Sequence, residues 1–411
     1  MADKHTPPPG RHVPALSDEE ALQLLHAMRG LECIVEPRQR GKIKYPLNAL
    51  LCFSLCAMLA GYDSFVLMAA WTTRNGPSCL EAMQMPALPA MPSHDTFRRL
   101  FTLIKPECLE AFVRGAVAAM VPGLDGQLVL IDGKALRGTW GPKAKKDATL
   151  TLLNAYAPDL RLTLGTRAVG AATNESAQLP ALIESLELKG ATVCIDAAGA
   201  YREVAAAVHK AGASYILTLK ANQPSLLASV EALFTEADLA RKTGAIPAGD
   251  LDRAVFHSCS KGRQLDVEVE TISWLDWFEE KEKWPGLGSV SRLIRRRMDE
   301  YGKSTEFTIY LLSGLKAAGR ILAGAQGRWA IENVLHWTLD VSFGEDACRV
   351  RETNAAHNLG LLRRLAHSLL KNTPAEPRDL SIKGKRLLCS SDNSFILRVL
   401  GTMNSPMPLH A

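Results

Sequence analysis

The 411-residue chain lacks the marks of several protein classes. No apolar run reaches the ~20 residues that a bilayer crossing requires. The longest, Leu47 to Ala60, is interrupted by Asn48 and Ser54 and reads as a buried helix. The opening residues MADKHTPPPGRHVP carry no apolar stretch of a secretory signal, so a cytoplasmic protein without membrane contact is expected. The nine cysteines include no CxxC pair, which argues against a zinc ribbon or a thioredoxin-type site. Cys52, Cys56 and Cys194 lie in apolar stretches, and His257 with Cys259 has no second pair at ligand spacing. There is no internal repeat. Charge of neither sign dominates: the net +5 permits a nucleic-acid partner without demanding one.

Local basic clusters stand out more than the total. They are Lys143, Lys145 and Lys146; Arg295, Arg296 and Arg297; and Lys383, Lys385 and Arg386. Each reads either as an ordinary solvated face or as a nucleic-acid contact.

The length calls for two or three packed regions. Residues 1–16 are proline-rich and expected to be disordered. From Asp18 to about Arg114, apolar residues recur three and four apart, the signature of helices. Ser17 before Asp18, Glu19 and Glu20 has the form of an N-cap with acidic residues in the first turn. Residues 17–122 are thus expected to form an all-helical domain.

Near Gly126 the pattern changes. Gln127 to Ile131 is a short apolar strand ending on Asp132. Strands near Thr149 to Tyr156 and Arg161 to Val169 follow, then a helix near Gln178 to Leu188. A second buried strand, Ala191 to Ile195, stops on Asp196. A helix near Tyr201 to Ala211 and a strand from Ser214 to Leu219 complete the unit. This order predicts an α/β fold with a ribonuclease-H-like core. After a helix near Ser225 to Thr235, alternation at Val267, Val269 and Thr271 and at Phe307, Ile309 and Leu311 marks a β-rich insertion, about 240–315. Trp274, Trp277 and Trp284 punctuate it. Helical periodicity resumes from Ala318 to Val341, and again from Ala355 to Lys371, closing a second domain of 126–372. Residues 373–411 read as a polar tail.

Two strands ending on aspartates would set two carboxylates side by side. Anions so placed repel unless a cation lies between them; the plainer reading is that each Asp only starts a turn. Glu332, on a later helix, is either a surface residue or a third ligand. Three carboxylates around a common point would suit phosphoryl transfer with two divalent ions.

Several longer motifs are spread along the chain. They are PSHDTFRR (Pro92 to Arg99), IDGKALRG (Ile131 to Gly138), Asn174-Glu175 and VCIDAAG (Val193 to Gly199). YILTLKANQ (Tyr215 to Gln223), WAIENVLHWTLDVSFGEDACRVR (Trp329 to Arg351) and AHNLGLLRR (Ala356 to Arg364) follow. With Glu36-Pro37-Arg38, Pro46 to Gly61 and Trp71, the chain resembles the H-repeat-associated insertion-sequence transposases (ISAs-type) of the DDE superfamily, from about Glu36 to Lys371. The resemblance implies a ribonuclease-H-like fold and a catalytic, metal-holding triad at Asp132, Asp196 and Glu332. It implies two Mg²⁺ or Mn²⁺ ions per active site. The partners it implies are the element's terminal inverted repeats and target DNA, with a homo-oligomer assembled on DNA in the nucleoid. Relatives often carry His-Trp where this chain has Arg328-Trp329, and Cys-Gln where it has Ala200-Tyr201.

Residues expected to meet DNA are Lys134, Arg137, Lys220, Arg328, Trp337 and Arg295 to Arg297. A buried core position is the alternative for Trp337, and a structural ion pair the alternative for Arg328. Glu345 and Asp346 are expected to pair with Arg349 and Arg351. Readings from other classes are a catalytically silent DNA-binding remnant and a nuclease without strand transfer. No cluster of Arg and His around a Tyr or Ser supports a tyrosine or serine recombinase.

Overall fold

A computed structural model describes residues 34–404 except 122, 140–148, 171–173, 222, 244–250, 261–262, 277 and 379. The tail 1–16, the Ser17 cap, Lys143, Lys145 and Lys146, Asn222 and Trp277 lie outside the described residues. The chain divides into two compact units, one of 1–120 with 365–406 and one of 121–364 with 407–411.

In the first unit, α1 (Leu47–Leu59) is apolar all round and buried from Ala49 to Leu59, as a helix at the centre of a core must be. Helices α2 (Phe65–Ala82), α3 (His94–Leu103) and α4 (Pro106–Met120) follow. Ser64 caps α2 by accepting from the Leu67 N–H.

The second unit is built on one nine-stranded sheet. Its strands are β1 (Leu128–Ala135), β2 (Thr151–Ala157), β3 (Leu162–Val169), β4 (Thr192–Ile195), β5 (Ser214–Leu219), β6 (Leu251–Ser260), β7 (Arg263–Ile272), β8 (Ser289–Met298) and β9 (Ser304–Ser313). The order across the sheet is β3-β2-β1-β4-β5-β9-β8-β7-β6. β1, β4 and β5 run parallel, and the remaining pairs are antiparallel. Helices α5 (Glu175–Glu184), α6 (Arg202–Lys210) and α7 (Pro224–Lys242) occupy the connections.

The β-rich insertion is not a separate layer. β9 pairs directly with β5, Leu217 opposite Leu312, so the inserted hairpins extend the core sheet. Trp284 within it is fully buried. After β9 come α8 (Ala318–Gly327), a π-helical turn (Ile331–His336) and α9 (Trp337–Val341), followed by α10 (Thr353–Asn372).

The segment expected to be a polar tail instead holds two helices, α11 (Ile382–Ser391) and α12 (Asn393–Gly401), which belong to the first unit. Two of its basic residues are buried caps. Arg386 donates to the Met58 carbonyl at 2.9 Å, near the C-terminus of α1, and pairs with Asp63. Lys385 donates to the carbonyls of Leu370 (2.8 Å) and Thr373 (2.6 Å). Helix ends leave carbonyls without intrahelical partners, and cations there offset both the missing bonds and the helix dipole. Of the cluster read as a possible nucleic-acid contact, Lys383 alone is exposed.

Candidate active site

Parallel pairing of β1 with β4 sets Ile131 opposite Ile195. One residue further on, Asp132 on β1 and Asp196 just past the end of β4 are therefore neighbours, the two strands lying about 5 Å apart. Asp196 directly follows the last residue of β4 and accepts from the Ala197 N–H, capping the short turn Ala197–Gly199. Asp132 does not end its strand. β1 continues to Ala135 because its other edge stays paired with β2, Asp132 opposite Asn154 and Ala135 opposite Thr151.

Glu332 sits on the π-helical turn. Such turns put an extra residue into a helix and often occur at functional sites. Burial raises the Asp132 carboxyl to about 6, and the nearby carboxylates of Glu332, Glu175 and Asp196 add to the rise. His336 Nδ1 lies 3.7 Å from Asp132 Oδ2. Burial pushes this imidazole down to about 3, with Arg364 and Lys134 adding to the effect, so it is neutral at physiological pH.

Glu175 is a fourth carboxylate at this edge. A Cβ on Gly133 would fall 2.5 Å from Glu175 Oε1, so the residue after Asp132 must be glycine for this carboxylate to sit there. Burial raises the Glu175 pKa, as does Asp196. The Asn174-Glu175 motif carried the signal, but only the fold shows the proximity.

Burial alone would raise the Asp196 carboxyl. The Ala197 N–H, Arg328 and Lys220 more than offset this and hold it below the usual range. Arg328 Nη1 is 2.9 Å and Lys220 Nζ 3.3 Å from Asp196 Oδ1. The ion pair considered for Arg328 is thus present, and its partner is an aspartate of the site itself.

The other expected DNA contacts are placed unequally. Lys134 is buried and pairs with Asp340 (2.7 Å) and Asp346 (3.6 Å), which removes it from the cations open to a phosphate. The cause is strand alternation: Lys134 points to the same side of β1 as Asp132, toward the glutamate-bearing helix. Arg137 is 80% exposed and only loosely held by Asp346, at 3.6 Å. Trp337 is 57% exposed, so the core position considered for it does not hold. Arg295 to Arg297 are not one cluster, because alternation along β8 puts Arg296 on the opposite face from the other two.

Glu345 does not pair with Arg349 or Arg351. It is fully buried against Arg364 at 2.8 Å, with Arg363 at 3.8 Å, while Asp346 faces Lys134 and Arg137. The Arg364 Nε also donates to Asn154 on β2, tying α10 to the sheet behind Asp132.

The donor chemistry of Asp132, Asp196, Glu332 and Glu175 fits a hard divalent cation. All are oxygen ligands, and their mutual repulsion is what a cation between them would relieve. Convergence on a common point is not met in this arrangement. Among the described residues no three such groups lie close enough to hold an ion, Asp196 being engaged by Arg328 and Lys220 instead.

A family model described as "Transposase DDE domain" matches residues 123–369, and one described as "DDE_Tnp_1-associated" matches 28–115. The chain belongs to the DDE transposase family. It is 34% identical over 269 residues to an uncharacterized protein in the dhlA 3' region of Xanthobacter autotrophicus, covering 65% of this chain and 87% of that one. It is 26% identical over 396 residues to YhhI of Escherichia coli (strain K12), named as an H repeat-associated transposase candidate, covering 92% and 98% of the two chains. A solved piggyBac transposase synaptic complex with hairpin DNA covers 93% of this chain at 11% identity, with a TM-score of 0.39, too loose a likeness to carry structural argument. Among the described residues no helix of this DDE transposase is long and apolar enough to cross a membrane.

Proposed function

We propose that this DDE transposase cleaves DNA at insertion-sequence ends and joins the freed 3′ ends to target DNA, with Asp132, Asp196 and Glu332 as its catalytic carboxylates. The observation that carries the reading is the adjacency of Asp132 on β1 and Asp196 at the end of the parallel strand β4, with Glu332 acting electrostatically on Asp132 from the π-helical turn. The order β3-β2-β1-β4-β5, with its first three strands antiparallel, supports a ribonuclease-H-like core.

Asp132, Asp196 and Glu332 would hold the divalent ions, Mg²⁺ or Mn²⁺. When bound, such ions activate the attacking oxygen and stabilise the leaving oxygen of an in-line displacement. The chain's own residues do the rest. Arg328 and Lys220, now on Asp196, are placed to exchange that carboxylate for phosphate oxygens as DNA enters. Neutral His336 lies beside Asp132 without adding positive charge. The exposed Arg137 and Trp337 flank the same edge and would meet the strand, while the helices of 34–120 would read the terminal repeats.

The test is a reaction of the purified protein with DNA carrying the element's ends, a target plasmid and Mg²⁺ or Mn²⁺. Nicks at the ends and covalent end–target joints are expected. Cleavage without joints would leave a nuclease, and neither product a silent DNA-binding protein.

A further inference from the structure

Strand β8 carries arginines on both faces, and the two faces treat them differently. Arg292 and Arg296 share one face. Arg292 pairs with Asp238 at 2.8 Å and with Glu270, and Arg296 pairs with Glu306 at 2.7 Å and Glu268 at 3.2 Å. On the other face, the cross-strand neighbours of Arg295 are Val267 and Phe307, and those of Arg297 are Leu265 and Thr305. None of these four carries a charge. Among the described residues no carboxylate pairs with Arg295 or Arg297.

Arg295 leans inward all the same. Its guanidinium lies 5.9 Å from the centre of the Trp329 ring, and that of Arg328 lies 5.7 Å from the same ring. These three side chains and Thr218, with a mostly aliphatic remainder that includes Leu293 and Leu311, line a cavity of about 30 Å³. The Arg295 Nε is buried and has no hydrogen-bond partner among the described residues. Burial lowers the Arg295 pKa, and the like charges of Arg297 and Arg328 lower it further. Indole faces attract guanidinium groups and offset part of that repulsion. They do not supply an acceptor for the buried N–H, and an unmet buried donor is costly.

We propose that this cavity is an anion site for one phosphodiester of the bound DNA strand, gripped jointly by Arg295 from the inserted hairpins and Arg328 from the glutamate-bearing helix. It rests on the reading that DNA is the substrate. A cavity of this size has room for about two waters, so it would take the two non-bridging oxygens of a phosphodiester and not the whole group. Guanidinium forks match that group bidentately. Trp329, 40% exposed, is a positioning residue whose ring centre lies within 6 Å of both guanidiniums. Because Arg328 also touches Asp196, the phosphate would lie beside the reacting carboxylates. The insertion would thereby be a direct part of the substrate channel.

The test uses the full-length protein. Its intrinsic tryptophan fluorescence is titrated with inorganic phosphate and, separately, with a short DNA oligonucleotide over a range of salt. Wild type should show a saturable change with both ligands, and Trp329→Phe should lose the change with phosphate. Arg295→Ala should weaken oligonucleotide binding about tenfold or more and lower the salt slope by about one. Arg296→Ala, on the paired face, should leave both unchanged. Arg295→Lys, which keeps the charge and should melt as wild type does, should still lose part of the affinity. Oligonucleotide binding that is equal in wild type and Arg295→Ala, or equally weakened by Arg295→Ala and Arg296→Ala, overturns the site while leaving the DNA reading intact. Absence of any oligonucleotide binding by wild type overturns the DNA reading and this site with it.

Discussion

Arg328 Nη1 lies 2.9 Å from Asp196 Oδ1, so the guanidinium expected to hold DNA is held, in the free protein, by a carboxylate expected to hold metal. Arg328 lies four positions before Glu332 along one helical path, about one turn away. Arg328→Lys keeps the charge but not the planar fork. It should leave the fold and metal binding intact and slow cleavage about tenfold or more, equivalent to ~1.4 kcal/mol of transition-state stabilisation. Cleavage and thermal stability measured on the same purified variant decide the matter. Undiminished cleavage with a lowered melting temperature would make Arg328 a structural residue only.

Glu345 gives a prediction about stability. It is fully buried between Arg364 and Arg363, and removing one member of a buried ion pair costs about 3–5 kcal/mol. Glu345→Gln should destabilise the fold to that extent near neutral pH. Burial opposes ionisation of Glu345, but Arg364 and then Arg363 outweigh it and hold the carboxyl below its ordinary range. A depressed pKa contributes stability above the unfolded value of about 4.3, lost as pH falls through the folded one. Denaturant midpoints should therefore differ most at neutral pH and converge below about pH 4. A constant difference across that range would contradict the assignment.

Arg386 separates two uses of a basic cluster. As a cap on the Met58 carbonyl and a partner of Asp63, it holds the helices of its own unit together. Arg386→Met should cost about 2–4 kcal/mol of stability, without changing the salt dependence of DNA binding by the protein that remains folded. Unchanged stability with a shallower salt slope would make it a DNA contact after all.

Much of the sheet is legible in the sequence, because buried strands are apolar runs with sharp ends. Strand β5 falls on Ser214–Leu219, and β4 stops before Asp196, within a residue of expectation. Asp132 misleads because a strand paired on both edges can lose one neighbour and continue on the other. The insertion reads as β from its alternation, but its union with β5 is a pairing between distant segments that no local pattern encodes.

Charged and aromatic side chains are read least well. Lys134 and Arg137 are equally basic in sequence, yet one is buried against two carboxylates and the other is open. Their fates depend on Asp340 and Asp346, some two hundred residues away. Lys385 and Arg386 look like a solvated patch because the carbonyls they cap belong to other helices. The triad itself rests on the family motifs, since Glu332 carries no local mark that separates it from a surface glutamate.

The central claim is tested most directly by strand cleavage at the element's ends in Mg²⁺ or Mn²⁺, compared among wild type, Asp132→Asn, Asp196→Asn and Glu332→Gln, with end binding measured in parallel. Each substitution removes one carboxylate charge while nearly preserving shape, so cleavage should fall below detection in all three variants while binding stays near wild type. Cleavage that survives loss of any one of these carboxylates would contradict the assignment of the triad.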